Sequence, residues 1–181
     1  CIVLGMGLPS TAAYVIAAAV GAPALLNAGI PALGANLFVF YFAIISFITP
    51  PVAIASYAAA GLAGGSSTKT GYLAFKLGIA GFIIPFLYIY HPGLLILGTS
   101  TWETLYALML AAGAVVLIAA SFEGWVGVDL LFFERFALIL AAVMLIATKV
   151  VFNVAGLIIG ASVLMIVYLR NRRSKAAAGV V

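Results

Sequence analysis

Polar and proline residues in the middle of one long apolar stretch have the types and spacing of a cation site. Thr49, Pro50 and Pro51 interrupt the apolar residues 33–61, and Ser46 comes three residues earlier. Two consecutive prolines remove two backbone donors and exclude the α region for the residue before each of them, so we expect a helix to unwind here. Hydroxyl and unwound carbonyl oxygens are ligands that a hard cation accepts. The segment therefore predicts a site for Na⁺.

A second group of helix breakers lies near the start of the chain. It forms a predicted hairpin tip with these residues: Gly5, Gly7, Pro9, Ser10 and Thr11. The apolar run that follows, residues 12–26, is short for a full crossing, and a loop-like cluster of Gly, Pro and Asn comes after it. We expect one arm of a re-entrant hairpin, with Ser10 or Thr11 as its N-cap. The positive end of its dipole would suit an anion at mid-membrane.

The elements that must position these residues lie in a segment without charge. The chain has 181 residues, 8 of them Lys or Arg and 4 Asp or Glu, and the first 68 residues contain none of these. Soluble domains carry roughly 25% charged residues, so such a run must face lipid or buried protein. We predict an all-α membrane protein, a multi-span helical transporter with a re-entrant hairpin arm (1–32) and one discontinuous helix (33–61). Residues 1–61 would form part of a transport domain, because two broken elements that meet near the midplane are typical of a transporter binding site.

The sequence after residue 61 predicts transmembrane helices without a comparable break. We assign residues 62–97 to a following helix with a cytoplasmic loop, 98–169 to additional C-terminal transmembrane helices and 170–181 to a cytoplasmic tail. The candidate spans are residues 72–97, 102–121, 130–148 and 151–169. Ser100 to Glu103 fit a Ser-x-x-Glu capping box, and Gly156 with Gly160 forms a GxxxG pattern that suggests close helix packing.

Charge asymmetry predicts the orientation. Four spans would place only Lys149 on one side of the membrane. The other side would hold seven basic residues: Lys69, Lys76, Arg135, Arg170, Arg172, Arg173 and Lys175. The C-terminus is therefore predicted to be cytoplasmic, although this parity changes if residues 130–169 are not two spans. All four acidic residues fall at predicted span ends, so a proton relay through carboxylates has no candidate in this chain. Neutral oxygen ligands suit Na⁺ better than H⁺.

Other function classes lack the residues they need. The net charge of +4 comes from loop and tail residues without a basic face, so we exclude nucleic acid as a partner. An intramembrane enzyme needs a nucleophile and base, or metal ligands. The single His91, the single Cys1 and the lack of an H-E-x-x-H pattern argue against catalysis, a metal centre or a bound cofactor. The alternative to a transporter is a non-transporting structural membrane subunit or a channel-like pore segment.

Together the motifs resemble the large membrane subunit of TRAP transporters, most closely the fused permeases that join the small and large membrane subunits. The resemblance rests on Gly-Met-Gly-Leu-Pro-Ser-Thr-Ala-Ala-Tyr (5–14), Leu-Phe-Val-Phe-Tyr-Phe-Ala (37–43), Ile-Thr-Pro-Pro-Val-Ala (48–53) and Gly-Phe-Ile-Ile-Pro-Phe (81–86). It implies Na⁺-coupled import of organic acids across a bacterial inner membrane by an elevator mechanism. It also implies delivery of the substrate by an extracytoplasmic solute-binding protein, of the TAXI type for such fusions. The chain would then be the C-terminal part of a longer protein and would not transport alone.

We assign the site residues on these grounds. The predicted ion-binding residues are Gly5, Gly7, Ser46, Thr49 and Pro50, and the predicted substrate-binding residues are Pro9, Ser10, Thr11, Pro51 and Asn36. Asn36 has an alternative role as a cap or a residue of the far-side loop. Ser56 and Tyr57 add polar groups after the break, and Tyr57 is also a common type of packing residue. The predicted partners are the binding protein, an organic anion and the lipid bilayer.

Overall fold

The chain folds into two compact units of helices. The computed structural model describes residues 1–96 and 99–177, the side chains of 173–177 excepted, and the units are Cys1–Leu97 and Gly98–Val181. Four helical segments of the described part are long and apolar enough to cross a membrane: Ser10–Asn27, Ser67–Tyr90, Thr101–Glu123 and Val150–Arg172. The predicted fold class, an all-α multi-span membrane protein, is confirmed.

The described residues of the first unit, 1–96, form six α-helices. They are α1 (Ile2–Gly5), α2 (Ser10–Asn27), α3 (Ala32–Ile45), α4 (Ile54–Leu62), α5 (Ser67–Gly78) and α6 (Ile84–Tyr90). Short 3₁₀ turns at Ser46–Ile48, Ile79–Ile83 and Pro92–Leu95 extend α3, join α5 to α6 and follow α6. Helix α1 and the start of α2 form the predicted hairpin tip. The predicted discontinuous helix corresponds to α3 and α4.

Helix α2 is longer than the apolar run indicated, and its N-cap differs from the prediction. It has 18 residues and remains helical through Pro23, an interior proline of the kind that membrane helices tolerate. The helix ends in a Schellman motif at Gly29, whose φ of +84° lets the Ile30 N–H reach the Leu25 carbonyl. Prediction of Ser10 or Thr11 as N-cap was wrong: Pro9 holds that position, without a side-chain cap.

Small residues bring α2 and α3 close together. Ala13, Ala17 and Ala22 of α2 are buried with Val39 and Ala43 of α3. A Cβ added at Gly21 would lie 3.1 Å from Val39 Cγ2, so the α2 backbone leaves little room for a side chain there. Small residues at a helix interface allow this approach in membrane proteins.

Aromatic rings join α3 to the segment that contains α5 and α6. Phe42 of α3 lies between Phe82 and Phe86, at ring-centroid distances of 6.3 and 5.9 Å, and Phe82 also contacts Phe75 of α5 at 5.3 Å.

The predicted span 72–97 begins earlier in the structure, at Ser67, and its α-helical part ends at Tyr90. Pro85 lies in the first turn of α6, where the missing N–H costs no helical hydrogen bond.

Within the second unit, residues 99–177 form three helices. They are α7 (Thr101–Glu123), α8 (Phe132–Ile146) and α9 (Val150–Ala177). The predicted capping box is present at the start of α7: Glu103 N–H donates to Ser100 Oγ, and Ser100 N–H donates to the Glu103 carboxylate. Helix α8 forms, so 130–169 does hold two helices. Its 15 residues span about 22 Å, shorter than the roughly 30 Å of a bilayer core.

Asn153 fastens the turn between α8 and α9. Its buried amide, in the orientation that pairs both ends, donates to the carbonyls of Met144 (3.0 Å) and Ala147 (2.8 Å) and accepts from Tyr106 Oη of α7 (3.1 Å). Close packing follows the predicted GxxxG pattern, since a Cβ at Gly156 would lie 2.7 Å from a carbonyl oxygen of α8. A Cβ at Gly160 would lie 2.9 Å from Leu117 Cδ1 of α7, so the Asn153 amide and both glycines bring three helices together.

The segment predicted as a cytoplasmic tail, residues 170–181, begins within helix α9. Helix α9 continues to Ala177, and residues 178–181 of the predicted tail lie outside the described residues. Arg170 bonds both carboxylate oxygens of Glu134 at 3.0 Å and the Asp129 carbonyl at 2.7 Å. These contacts hold the last turns of α9 against the start of α8. The polar composition of residues 170–175 does not indicate this packing.

Candidate functional site

The helix break has a defined backbone path. Thr49 is extended (φ −97°, ψ 119°), the Pro50–Pro51 peptide is cis, and Ala53 is left-handed (φ 34°, ψ 49°) before α4 begins at Ile54. Prolines at 50 and 51 have no amide hydrogens for the carbonyls four residues earlier, those of Ser46 and Phe47. The Ser46 carbonyl instead accepts from Thr49 N–H at 3.1 Å.

Two buried hydroxyls flank the break and use their hydrogens locally. Ser46 Oγ donates to the Ala43 carbonyl at 2.6 Å, and Thr49 Oγ1 donates to the Ile45 carbonyl at 2.8 Å. Each hydroxyl oxygen keeps lone pairs that no donor from the described residues occupies. Buried oxygens with fixed hydrogens and free lone pairs are suitable ligands for a small cation.

The hairpin tip lies directly against this break. A Cβ added at Gly5 would lie 3.1 Å from Ser46 Oγ and 3.0 Å from the Ala43 carbonyl oxygen, so only glycine lets the two backbones come this close. Gly7, with a φ of +80°, turns the chain between α1 and α2, and its missing Cβ would lie 4.0 Å from Val52 Cγ1. The structure therefore places the tip and the break side by side.

The predicted substrate residues of the tip are exposed at the start of α2. Pro9, Ser10 and Thr11 are all open to the surroundings. The Ala13 N–H bonds the Pro9 carbonyl, so the three amides before it, those of residues 10 to 12, are the unpaired ones that begin every helix. No side chain caps them. The positive end of the α2 dipole is thus accessible next to the tip.

Asn36 lies away from the tip and the break. It is ten residues before Ser46 on the same helical path, about 15 Å along the axis. Its Oδ1 accepts from Tyr14 Oη at 3.2 Å, and its Nδ2 donates to the Ala32 carbonyl at 2.8 Å. The side chain ties α2 to α3 in this structure and is not brought together with the other predicted site residues.

Tyr57, which the sequence indicated only as a polar or packing residue after the break, makes direct contacts that hold the break in place. Its hydroxyl donates to the Pro51 carbonyl at 2.7 Å. Its ring lies on Gly71 of α5, where an added Cβ would be 2.7 Å from Tyr57 Cε1. The break is therefore fastened to α4 and, through the ring, to α5. In the sequence, the only indication of this contact was a polar side chain six residues after Pro51.

A cavity of about 300 Å³ opens at the break. Thr49, Pro50 and Pro51 form one side, and Tyr72 and Phe75 of α5 form the other. Nothing in the sequence pointed to the α5 residues, because their position depends on how α5 packs. Ser56, just past the break, is 5% exposed, and its Oγ has no hydrogen-bond partner among the described residues.

The site has no charged ligand. Residues 1–68 contain no Asp, Glu, Lys or Arg, and the described residues hold no cluster of three His, Cys, Asp or Glu side chains. Binding at the break therefore depends on hydroxyl oxygens, carbonyl oxygens and amide groups. Such a donor set accepts an alkali-metal cation more readily than a transition metal.

These features define a class of protein, a multi-span α-helical membrane protein with two broken elements in contact. The family model of the tripartite ATP-independent periplasmic transporter, DctM component, matches residues 1–103, a range that holds both breaks and every predicted site residue. The chain belongs to this family and is a permease component of a tripartite transporter, so it belongs to a family of transporters and not of enzymes. Neither a curated protein nor a solved structure matches the chain.

Proposed function

We propose that this chain forms the ion and substrate site of a Na⁺-coupled importer of organic acids. The observation that carries the proposal is the contact between Gly5 of the hairpin tip and Ser46 at the break, because it joins two broken elements into one site. The chain would act within a longer membrane subunit of the fused-permease type. Residues after 103, beyond the matched range, would be its additional helices.

Na⁺ is the proposed coupling ion because of the donor set. Ser46 and Thr49 offer hydroxyl oxygens whose hydrogens are already committed to carbonyls of α3. Pro51 has no amide hydrogen for the Phe47 carbonyl, and Gly5 and Gly7 let the tip backbone approach the break. A hard monovalent cation can be held by such neutral oxygens, whereas a proton would need a titratable group.

An organic anion is the proposed substrate because of the α2 N-terminus. The unpaired amides of its first turn carry the positive end of the helix dipole, and Pro9, Ser10 and Thr11 surround them. Pro51 lines the neighbouring cavity. Binding of Na⁺ at the break would place a second positive charge beside the carboxylate, which would couple the two ligands.

The transport cycle is proposed to be of the elevator type. The tip, the break and α5 contact one another through Gly5, Tyr57 and Gly71, so the site could move as one body. An extracytoplasmic solute-binding protein would deliver the acid, and the membrane would be the bacterial inner membrane. A cytoplasmic C-terminus is supported by the second unit, where Arg135, Arg170 and Arg172 share the end opposite Lys149.

Reconstituted uptake by the full-length protein tests the proposal. Proteoliposomes receive a panel of radiolabelled organic acids, with and without a candidate solute-binding protein from the same organism, under a Na⁺ or a K⁺ gradient. We expect saturable uptake that requires both Na⁺ and the binding protein. Uptake that is equal with K⁺ would contradict Na⁺ coupling, and non-saturating flux without the binding protein would indicate a channel.

A further inference from the structure

One arginine of the second unit has a charge that no carboxylate of the described residues balances. Glu134 is occupied by Arg170, which bonds both of its oxygens at 3.0 Å, so the adjacent Arg135 does not pair with it. Among the described residues the Arg135 guanidinium makes a single hydrogen bond, from Nη2 to the Phe122 carbonyl at 3.4 Å. Its Nε is buried and has no partner. Most of its five N–H donors are therefore unused.

Arg135 lies in a cavity with an aromatic wall. The cavity has a volume of about 210 Å³ and is lined by Ser121, Phe122, Phe132, Arg135, Phe136 and Ile139. Phe132 and Phe136 are 73% and 65% exposed, so their rings extend the cavity onto the outer surface of α8. A cationic group inside and apolar rings at the mouth form an amphipathic site at one end of a helical bundle.

Capping of α7 explains only part of this arrangement. The guanidinium lies over Gly124, at the C-terminus of α7, where a positive charge is favourable. That role uses one donor at a long distance and leaves the buried Nε unsatisfied, which is costly for a charged group. A ligand with several acceptor oxygens would complete the site.

We propose that this cavity binds the phosphate of an anionic phospholipid. A phosphodiester presents two acceptor oxygens to the planar guanidinium fork of Arg135, while Ser121 Oγ donates to the Arg135 backbone carbonyl at 2.9 Å. The exposed rings of Phe132 and Phe136 would contact the acyl chains, since this unit contains helices of crossing length. Basic pockets at the ends of membrane helices bind anionic headgroups in this way.

Native mass spectrometry of the full-length protein in detergent tests the site. The protein is titrated with phosphatidylglycerol or with zwitterionic phosphatidylcholine, and the tightest bound lipid is quantified. We expect phosphatidylglycerol to bind more tightly, and Arg135→Gln to weaken that binding by about tenfold through the loss of charge-assisted bonds. Arg172→Gln is the matched control: it removes the same charge from an exposed position at the same end, and should change affinity by less than about twofold.

Three results would overturn the proposal. They are unchanged phosphatidylglycerol binding in Arg135→Gln, equal losses in Arg135→Gln and Arg172→Gln, and displacement of the lipid by millimolar inorganic phosphate, which would indicate a free anion instead. Ile139→Trp supplies a second variant if Arg135→Gln does not fold. It fills the cavity without changing charge and should also weaken binding, so unchanged binding by the folded Trp variant would contradict the site.

Discussion

The hydroxyl of Tyr57 donates a 2.7 Å hydrogen bond to the carbonyl of Pro51, the second proline of the helix break. The tyrosine ring lies on Gly71 of the next helix, so a side chain of α4 fixes both the break and its distance from α5. The same break contacts the hairpin tip through Ser46 and Gly5. An unwound backbone inside a membrane protein needs such support, because its polar groups cannot rely on water.

Loss of the Tyr57 hydroxyl should weaken ligand binding more than it affects folding. Tyr57→Phe keeps the ring on Gly71 and frees the Pro51 carbonyl. With one hydrogen bond worth about 1 kcal/mol, we expect the Na⁺ concentration for half-maximal uptake to rise roughly fivefold. Tyr90→Phe, at the exposed end of α6, is the control and should leave this concentration unchanged. A variant with unchanged Na⁺ dependence would show that the bond has no influence on the site.

A methyl group at Gly5 should separate the tip from the break. Gly5→Ala would bring its Cβ to 3.0 Å from the Ala43 carbonyl oxygen, which is closer than ordinary van der Waals contact. We expect uptake to fall at least tenfold while the protein stays folded in detergent. Gly61→Ala is the control, because nothing lies within 4 Å of its Cβ position. Wild-type uptake by Gly5→Ala would mean that the close approach is not needed.

Removal of the Asn153 amide should destabilise the second unit. Asn153→Ala leaves the Met144 and Ala147 carbonyls and the Tyr106 hydroxyl without their buried partner. Interhelical hydrogen bonds in membrane proteins contribute about 0.6–2 kcal/mol, so we expect a lower thermal midpoint in detergent. Tyr106→Phe removes only one of the three bonds and should have the smaller effect. Equal midpoints for Asn153→Ala and the wild type would refute this role.

The ion pair between Arg170 and Glu134 should make a measurable contribution to the unfolding free energy. Arg170→Met breaks the forked contact with Glu134 and the bond to the Asp129 carbonyl, and leaves a carboxylate that is only 13% exposed. We expect a loss of about 1–2 kcal/mol in unfolding free energy, since the pair is partly screened by solvent. Arg172→Met, on the exposed side of the same turn, should be close to neutral. The reverse order would show that the contact is not stabilising.

Local chemistry explains which features could be predicted from the sequence. The break at Thr49–Pro51 follows from proline's missing donor, and the box at Ser100–Glu103 follows from a four-residue pattern. Both depend only on neighbouring residues. The extent of α2 was underestimated at its ends, because the polar residues Ser10, Thr11 and Asn27 are helical although they do not belong to the apolar run.

Features that depend on distant partners were missed. Arg170 contacts Glu134, 36 residues earlier in the chain, and this pairing of α9 with α8 has no local sequence pattern. Tyr57 and Gly71 meet only after α4 and α5 pack. Asn36 looked like a substrate contact by residue type, yet its amide bonds Tyr14 and its own helix. Side-chain partners of this kind require the tertiary structure.

The Na⁺ dependence of uptake by Thr49 variants tests the central claim most directly. Full-length wild-type, Thr49→Ala and Thr49→Ser proteins are reconstituted, with Thr68→Ala as a control for the same change at an exposed position. Loss of one oxygen ligand should raise the Na⁺ concentration for half-maximal uptake about tenfold or more in Thr49→Ala, while Thr49→Ser and Thr68→Ala stay near the wild type. If Thr49→Ala keeps the wild-type rate and Na⁺ dependence, the break does not hold the coupling ion.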